Sequence, residues 1–335
     1  MDSDLNPPLQ FCGTQIEEVL SHKYLGVTLS SNLKWKDHIN MISTKARKRL
    51  NLILPLKMKL DRNTLEIMYN SFVRPIMAYA SSVWGGSPDI DLRQLEQIHL
   101  DGLRLVSGAT ARSNTYNVLL QCCETNFREK IDQSTLLLLH RILNKKAPDY
   151  LLVVFNELQR NPGHNYTLRN SQKLRIPFCR LACYKNSFFP RSIEKWNNLS
   201  INIRTTDSYS GFKKILKQGN KDKNILYYYG QRWASVHHAR MRMGCSMLQK
   251  DLHYNLHVAD NPNCSCGAQI EDAKHFLLHC PLYNASRQEL FAELHDVMPI
   301  NVKNLLFGNQ NYDENVNRQV FAAVHRFIVN SRRFN

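Results

Sequence analysis

The opening of the chain differs from the rest in how its apolar residues are spaced. The runs LQFCGTQIEEV and HKYLGVTLS alternate or cluster apolar residues over short lengths, with Gly13 and Gly26 as punctuation, a pattern typical of short strands joined by turns. After Asn32 the apolar residues recur at helical spacing instead. The sequence therefore predicts a short N-terminal β-hairpin followed by helices.

The helical pattern continues through most of the remaining chain. Asp61 is a candidate N-cap for a helix that reaches Trp84, and Pro75 should kink that helix. Further helices are predicted from His38 to Leu54, Leu92 to Val106, Asn126 to Leu143, Gln231 to Leu252 and Gln319 to Arg332. The expected fold class is mainly α, with a helical bundle behind the hairpin.

Periodicity fades between Asn161 and Asn224, where PGHN and KQGNKDKN mark the two ends of a loop-like stretch. We therefore predict three regions. They are a hairpin and helical region over 1–160, a basic linker region over 161–224, and a helical region with a Cys/His motif over 225–335.

Charge adds a candidate partner. The chain has 44 Lys and Arg against 28 Asp and Glu, a formal net charge of +16, which favours a polyanion such as RNA or DNA. The excess is concentrated in residues 141–220, which hold 15 basic and 4 acidic side chains with aromatic residues between them. A solvated basic surface over an aromatic core is the alternative. The candidate nucleic-acid-binding residues are Arg169, Lys173, Arg175, Arg180, Lys185, Arg191, Lys45, Arg47, Lys48, Arg49, Arg240 and Arg242.

Cysteine use and hydropathy indicate the compartment. The nine cysteines are an odd number, the first ten residues are mostly polar, and no apolar run approaches the roughly 20 residues of a membrane span. We expect an intracellular protein of the nucleus or cytoplasm, with no membrane segment and no secretion.

A cluster of soft metal ligands lies in CSCGAQIEDAKHFLLHC, residues 264–280. Cys264, Cys266, His275 and Cys280 form the pattern C-x-C-x8-H-x4-C, a complete set for a tetrahedral zinc ion. The single-residue spacer departs from the commoner C-x2-4-C, and His279 is a rival ligand. Four protein ligands leave no open position for water, so the predicted zinc is structural. A reduced cysteine-rich turn without metal is the alternative.

Three stretches resemble a known family. KYLGVTLSSNLKWKDHI, LEIMYNSFVRPIMAYASSVWGG and the CxCG...EDxxHFLLHCPLY signature are similar to the C-terminal part of reverse transcriptases from non-LTR (LINE-type, jockey-like) retrotransposons. The resemblance implies the end of the polymerase palm in the N-terminal hairpin, a thumb in the helices after it, and a zinc-binding motif in the Cys/His cluster. It also implies binding of template RNA and target DNA.

The same family carries palm carboxylates in an [FY]-x-D-D motif, and this sequence has none. A polymerase needs such carboxylates to hold two metal ions, so we expect this chain alone to have no polymerase active site. Other acidic pairs are expected on the surface or at helix caps, His237 and His238 on a basic surface, and Cys122 and Cys123 in packed positions. The acidic pairs are Asp89 with Asp91, Glu17 with Glu18, and Glu271 with Asp272.

Three functional interpretations stay open at this point. The first is a retrotransposon-derived region that binds nucleic acid without chemistry of its own. The second is part of an active RNA-directed DNA polymerase whose palm lies upstream. The third is a zinc-dependent protein-interaction module co-opted from a mobile element, with an upstream polymerase or another element-encoded protein as the partner.

Overall fold

The N-terminal strands form two separate hairpins. The computed structural model describes residues 9–159, 173–217 and 224–335. Strands β1 (Gln10–Phe11) and β2 (Thr14–Gln15) pair antiparallel, as do β3 (Ser21–Tyr24) and β4 (Val27–Ser30). The second hairpin turns through Leu25 and Gly26, both at positive φ, as tight two-residue hairpin turns require. The predicted N-terminal hairpin is confirmed.

Helices make up most of the remaining described residues, which confirms the mainly α fold class. The α-helices are α1 (Lys36–Ile53), α2 (Arg62–Met68), α3 (Arg74–Ala78), α4 (Ser81–Trp84), α5 (Asp89–Ser107), α6 (Thr115–Cys122), α7 (Phe127–Leu143), α8 (Asp149–Gln159), α9 (Ala182–Lys185), α10 (Phe188–Asn197), α11 (Ile201–Arg204), α12 (Tyr209–Lys217), α13 (Arg232–Met243), α14 (Asn284–Leu294), α15 (Val302–Phe307) and α16 (Glu314–Asn330). Among these residues, no helix has both the length and the apolar character needed to cross a bilayer.

The first core lies between α1, α5 and the helices that connect them. In α1 the buried apolar residues include Ile39, Ile42, Ala46 and Leu50, a spacing that puts one stripe of the helix into the core. The basic run KARKR overlaps this stripe only at Ala46, so most of its charged side chains point away from the core. Trp84 is fully buried in the same core, as expected for an anchor between helices.

The long helix predicted from Asp61 to Trp84 is interrupted. Asp61 does cap α2, because its carboxylate accepts a hydrogen bond from the Thr64 amide at 3.0 Å. A π-helical turn, Tyr69–Val73, then joins α2 to α3. Pro75 lies in the first turn of α3, where its missing N–H costs little. The helix ends before Ala80, which takes the left-handed conformation at φ 52°.

The middle of the chain contains more helix than its weak periodicity predicted. Within the described part, residues 182–217 form α9 to α12. These helices and α7 enclose a second core that includes Leu139, Ile193, Trp196 and Phe212. Short amphipathic helices of four to ten residues give too few turns for a clear sequence period, so this stretch was wrongly interpreted as irregular. The division of the chain into three regions stays a prediction.

Helix α13 joins the first core to a third one formed by the C-terminal helices. Its residues Ala239 and Met243 pack in the first core, whereas Ala234 and Met241 pack in the third. The helix ends at Gly244, which takes φ 65°, so the predicted continuation to Leu252 is wrong. Both His237 and His238 are buried, which corrects the expected surface position.

Cationic side chains of α13 and of Lys57 bind the C-terminal end of α5. The last carbonyls of a helix have no partner within the helix and carry its negative dipole end. Here they accept hydrogen bonds from basic residues at 2.8–2.9 Å: Arg232 bonds to Leu105 and Val106, Arg240 to Gly108, and Lys57 to Ala109 just beyond the helix.

Candidate functional site

The two N-terminal cysteines of the Cys/His cluster lie in one tight turn. The amide of Cys264 donates to the carbonyl of Ala268 at 2.9 Å, and the amide of Gly267 donates to the carbonyl of Cys264 at 2.9 Å. Gly267 takes φ 92°, a conformation that residues with a Cβ rarely adopt. This turn allows Cys264 and Cys266 to face the same point despite their single-residue spacer.

The other two members lie at the ends of a π-helical turn. Residues His275–His279 form this turn, and the amide of Cys280 donates to the carbonyl of His275 at 2.8 Å. The Asp272 carboxylate accepts from the His275 amide at 2.8 Å and so caps the turn. An i to i+5 hydrogen bond explains how the x4 spacing places His275 and Cys280 at the same side.

The four side chains converge. The Sγ atoms of Cys264 and Cys280 lie 3.6 Å apart, and Cys266 Sγ lies 3.3 Å from Nε2 of His275. All four ligand atoms lie within 4.8 Å of one another, as the ligands of one metal ion do. His279 is exposed and is not a member of this group. The arrangement can hold a metal ion, with His275 as the nitrogen ligand.

The thiols lie in different electrostatic surroundings. Burial raises the pKa of Cys264 to about 12 and also raises the pKa of Cys280. The pKa of Cys266 is lowered, mainly because the Ala268 amide donates a hydrogen bond to its sulfur. Thiolates buried without a positive charge are unfavourable, and a coordinated cation supplies that charge. The donor set therefore fits a divalent metal.

Two arginines hold the cluster against the C-terminal helices. Arg287 is buried and donates to the carbonyls of Phe276 and Leu277 at 3.2 and 3.1 Å and to that of Cys280. Arg333 makes two bonds of 2.7 Å to the buried carboxylate of Glu271. Such outer contacts orient metal ligands. Neither arginine could be recognised from the sequence, because neither belongs to the ligand pattern.

Most of the predicted nucleic-acid-binding residues in the segment 173–185 are exposed. Lys173, Arg175, Arg180 and Lys185 all have exposed side chains. Phe178 lies among them with 84% of its surface exposed, which is unusual for a phenyl ring. On α1 the exposed members of the predicted set are Lys45, Lys48 and Arg49. Both segments present cations to solvent.

The other predicted residues make internal contacts. Arg191 is only 6% exposed and donates to the carbonyl of Ser82 at 2.8 Å, and burial lowers its pKa to about 10. Arg242 contacts the Tyr227 ring and the carbonyl of Leu306, while Arg240 binds Gly108 as described. Arg47 pairs with Asp101 at 2.6 Å. Arg169 lies outside the described residues.

The acidic pairs considered from the sequence lie in different surroundings. Asp89 and Asp91 lie in the first turn of α5, in agreement with the expected position at the surface or a helix cap. Glu271 is buried, which corrects its expected surface position, whereas Asp272 caps the turn His275–His279 as described. Cys122 is buried, as expected. A group formed by Arg74, Glu124 and Lys130 could not be recognised from the sequence either, because its members are distant along the chain.

Comparison with known proteins gives one informative result. The chain is similar to the RNA-directed DNA polymerase from mobile element jockey of Drosophila funebris. The two are 28% identical over 106 residues, which is 31% of this chain and 12% of the relative. No family model matches the chain, and no solved structure matches it. The similarity supports an origin related to mobile-element polymerases, and the chain spans only a small part of that relative's length.

Proposed function

We propose that this chain is a nucleic-acid-binding region related to the C-terminal part of a non-LTR retrotransposon reverse transcriptase, with a structural zinc ion in its Cys/His cluster. The helices after the hairpins correspond to a thumb in this proposal. Template RNA or target DNA is the ligand, and the chain supplies no polymerase chemistry of its own. The similarity to the jockey polymerase supports this assignment.

Zinc is the metal that the donor set favours. Three thiols and one imidazole are soft ligands, and a closed set of four is typical of structural zinc sites. Cys264, Cys266, His275 and Cys280 would each supply one ligand atom. The ion would tie the cysteine turn to the π-helical turn, and its charge would stabilise the buried thiolates.

The observation that carries nucleic-acid binding is the exposed segment 173–185. It combines Lys173, Arg175, Arg180 and Lys185 with the exposed ring of Phe178 and the partly exposed ring of Tyr184. Cations neutralise backbone phosphates, and aromatic faces stack on bases at about 1–3 kcal/mol each. An exposed phenylalanine between arginines suits a surface that stacks on the bases of a single strand.

Salt dependence of oligonucleotide binding tests this function. The variant Arg175→Ala/Arg180→Ala/Lys185→Ala should bind RNA and single-stranded DNA of any sequence more weakly. Each lost phosphate contact removes about 0.7 to 0.9 from the slope of log affinity against log salt concentration, so the slope should fall by about 2. A matched control removes three exposed lysines from other surfaces: Lys34→Ala/Lys59→Ala/Lys303→Ala.

The two variants separate the alternatives. Equal affinity and slope in the variant, the control and the parent would mean that segment 173–185 is only a solvated surface. A parent protein that binds no oligonucleotide at low salt would contradict the proposed function and favour a zinc-dependent protein-interaction module.

A further inference from the structure

A groove lies between three parts of the fold: the π-helical turn Tyr69–Val73 with α3, helix α7, and helix α12. None of the residues that line it belongs to the Cys/His cluster. The volume of the groove is about 980 Å³. Its charged lining consists of five cations and one carboxylate, Arg74, Lys130, Lys213, Lys214, Lys217 and Glu124. None of these residues was among those predicted to bind nucleic acid.

One wall of the groove is held in place by an ionic triad. Glu124 accepts from Arg74 at 3.1 and 3.3 Å and also pairs with Lys130. All three side chains are mostly buried, with 11–26% of their surface exposed. Burial raises the pKa of Glu124, but the neighbouring Arg74 and Lys130 outweigh that effect and lower it. The carboxylate is therefore ionised and fixes two cationic groups at the wall.

The opposite wall is α12, which adds three more cations. Lys213, Lys214 and Lys217 are exposed, and within the described residues none of them has an ion-pair partner. The amide group of Gln133 donates to the carbonyl of Leu216 at 3.3 Å, which attaches α12 to α7. The lining of the groove thus holds five cations and one carboxylate, and that carboxylate is already paired with the two cations of its own wall.

The cations of the two walls repel one another. Burial lowers the pKa of Lys130, and the charges of Arg74 and Lys217 lower it further, although Glu124 acts in the opposite direction. An anion between the walls would offset this repulsion and would contact fixed donors on one side and mobile lysines on the other. Half-buried cations of this kind bind phosphate better than fully solvated ones, because water screens them less.

We propose that this groove binds the phosphates of a nucleic-acid strand, as a second contact surface besides segment 173–185. This inference rests on the proposed function for the identity of the ligand. Lys213 and Lys217 are one helical turn apart, about 6 Å along α12, so both can contact the phosphates of the same strand. Arg74 and Lys130 position the strand, and the three lysines of α12 attract it.

Cysteine alkylation reports on each surface of the same protein. Cys123 lines the groove, Cys183 lies in segment 173–185, and Cys12 lies in the turn of the first hairpin. The full zinc-loaded chain is alkylated with and without oligo(dT) or oligo(U), and mass spectrometry measures the rate at each site. We expect bound oligonucleotide to slow alkylation of Cys123 several-fold while the rate at Cys12 stays unchanged.

A triple variant tests the charges. Lys213→Ala/Lys214→Ala/Lys217→Ala changes exposed positions of α12 to a good helix former, and the control Lys34→Ala/Lys59→Ala/Lys303→Ala removes the same charge elsewhere. The salt slope should fall by about 2 in the groove variant and by less than about 0.5 in the control. Protection of Cys123 should be lost in the groove variant only.

The outcomes distinguish the groove from the proposed function. Suppose that oligonucleotide protects Cys183 but not Cys123, and that the salt slopes of the groove variant and the lysine control are equal. This result would overturn the groove and leave the proposed function standing. If the parent binds no oligonucleotide, inorganic tripolyphosphate is used as the probe. Protection of Cys123 by tripolyphosphate would then support a phosphate-binding groove that serves a different ligand, and no protection would overturn the groove as well.

Discussion

The contact between Arg333 and Glu271 offers a sharp test of what holds the Cys/His cluster in place. The Glu271 side chain is 3% exposed and that of Arg333 is 21% exposed. Two bonds of 2.7 Å join them, and the Gln249 amide also donates to the carboxylate at 2.9 Å. The variant Arg333→Met would leave a buried carboxylate with a single backbone donor.

The expected cost follows from that geometry. Breaking a fully buried ion pair by removing one partner costs about 3–5 kcal/mol. Because Arg333 is partly exposed, water can reach the carboxylate once the guanidinium is gone, so we expect the free energy of unfolding to fall by about 2–3 kcal/mol. Urea denaturation followed by circular dichroism, with zinc present and thiols reduced, measures this difference.

The neighbouring residue provides the control. Arg332 is exposed, so Arg332→Met should change the free energy of unfolding by no more than about 0.5 kcal/mol. The double variant Glu271→Gln/Arg333→Met should be less destabilised than the single variant Arg333→Met, because no uncompensated charge stays buried. Equal midpoints for Arg333→Met and Arg332→Met would refute the reasoning.

Three further predictions concern metal, catalysis and pH. Purified, reduced protein should contain about one zinc per chain by metal analysis, because closed thiolate sites bind with roughly 10–16 kcal/mol; Cys266→Ser and His275→Ala should release it, and release by His279→Ala would contradict the ligand set. With primer, template, nucleotides and Mg²⁺ the chain should extend nothing, and extension that survives stringent purification would contradict this. Burial lowers the pKa of His99 to about 4, below the unfolded value near 6.5, so this residue's contribution to stability is complete above pH 6.5 and is lost as the pH falls towards 4. The difference between parent and His99→Gln in the free energy of unfolding, measured by urea denaturation, should therefore shrink in acid by up to about 3 kcal/mol; a constant difference would contradict it.

The longest helices could be predicted from the sequence because each has a clear period and an end signal. Helix α5 ends at Gly108, which takes φ 81°, and Asn126 caps α7 through a hydrogen bond from Glu129. The break at Ala80 carries no such signal, since alanine favours helix. There the Trp84 indole donates to the carbonyl of Tyr79 at 2.8 Å, so tertiary packing outweighs local preference.

The Cys/His cluster could also be predicted, because its four members are close in sequence and their chemistry is specific. The spacing alone did not explain the geometry, which depends on a π-helical turn and on Asp272 as its cap. The basic residues were harder to place. Arg191, Arg240 and Arg242 bind backbone carbonyls inside the fold, and such partners leave no periodic trace in the sequence. Charge density therefore located the exposed segment 173–185 but could not separate surface cations from internal ones.

Helix α13 has a consequence for cooperativity. Its side chains belong to two cores at once, and Arg232 and Arg240 bind the end of α5. Loss of α13 would expose apolar surface on both sides and leave several carbonyls without donors. The Cys/His cluster and the N-terminal helices should therefore unfold in one transition rather than as separate units. A chelator that removes zinc near Cys280 would then also loosen helices that begin more than a hundred residues earlier, and a protease would release no stable fragment that holds the first core without the third.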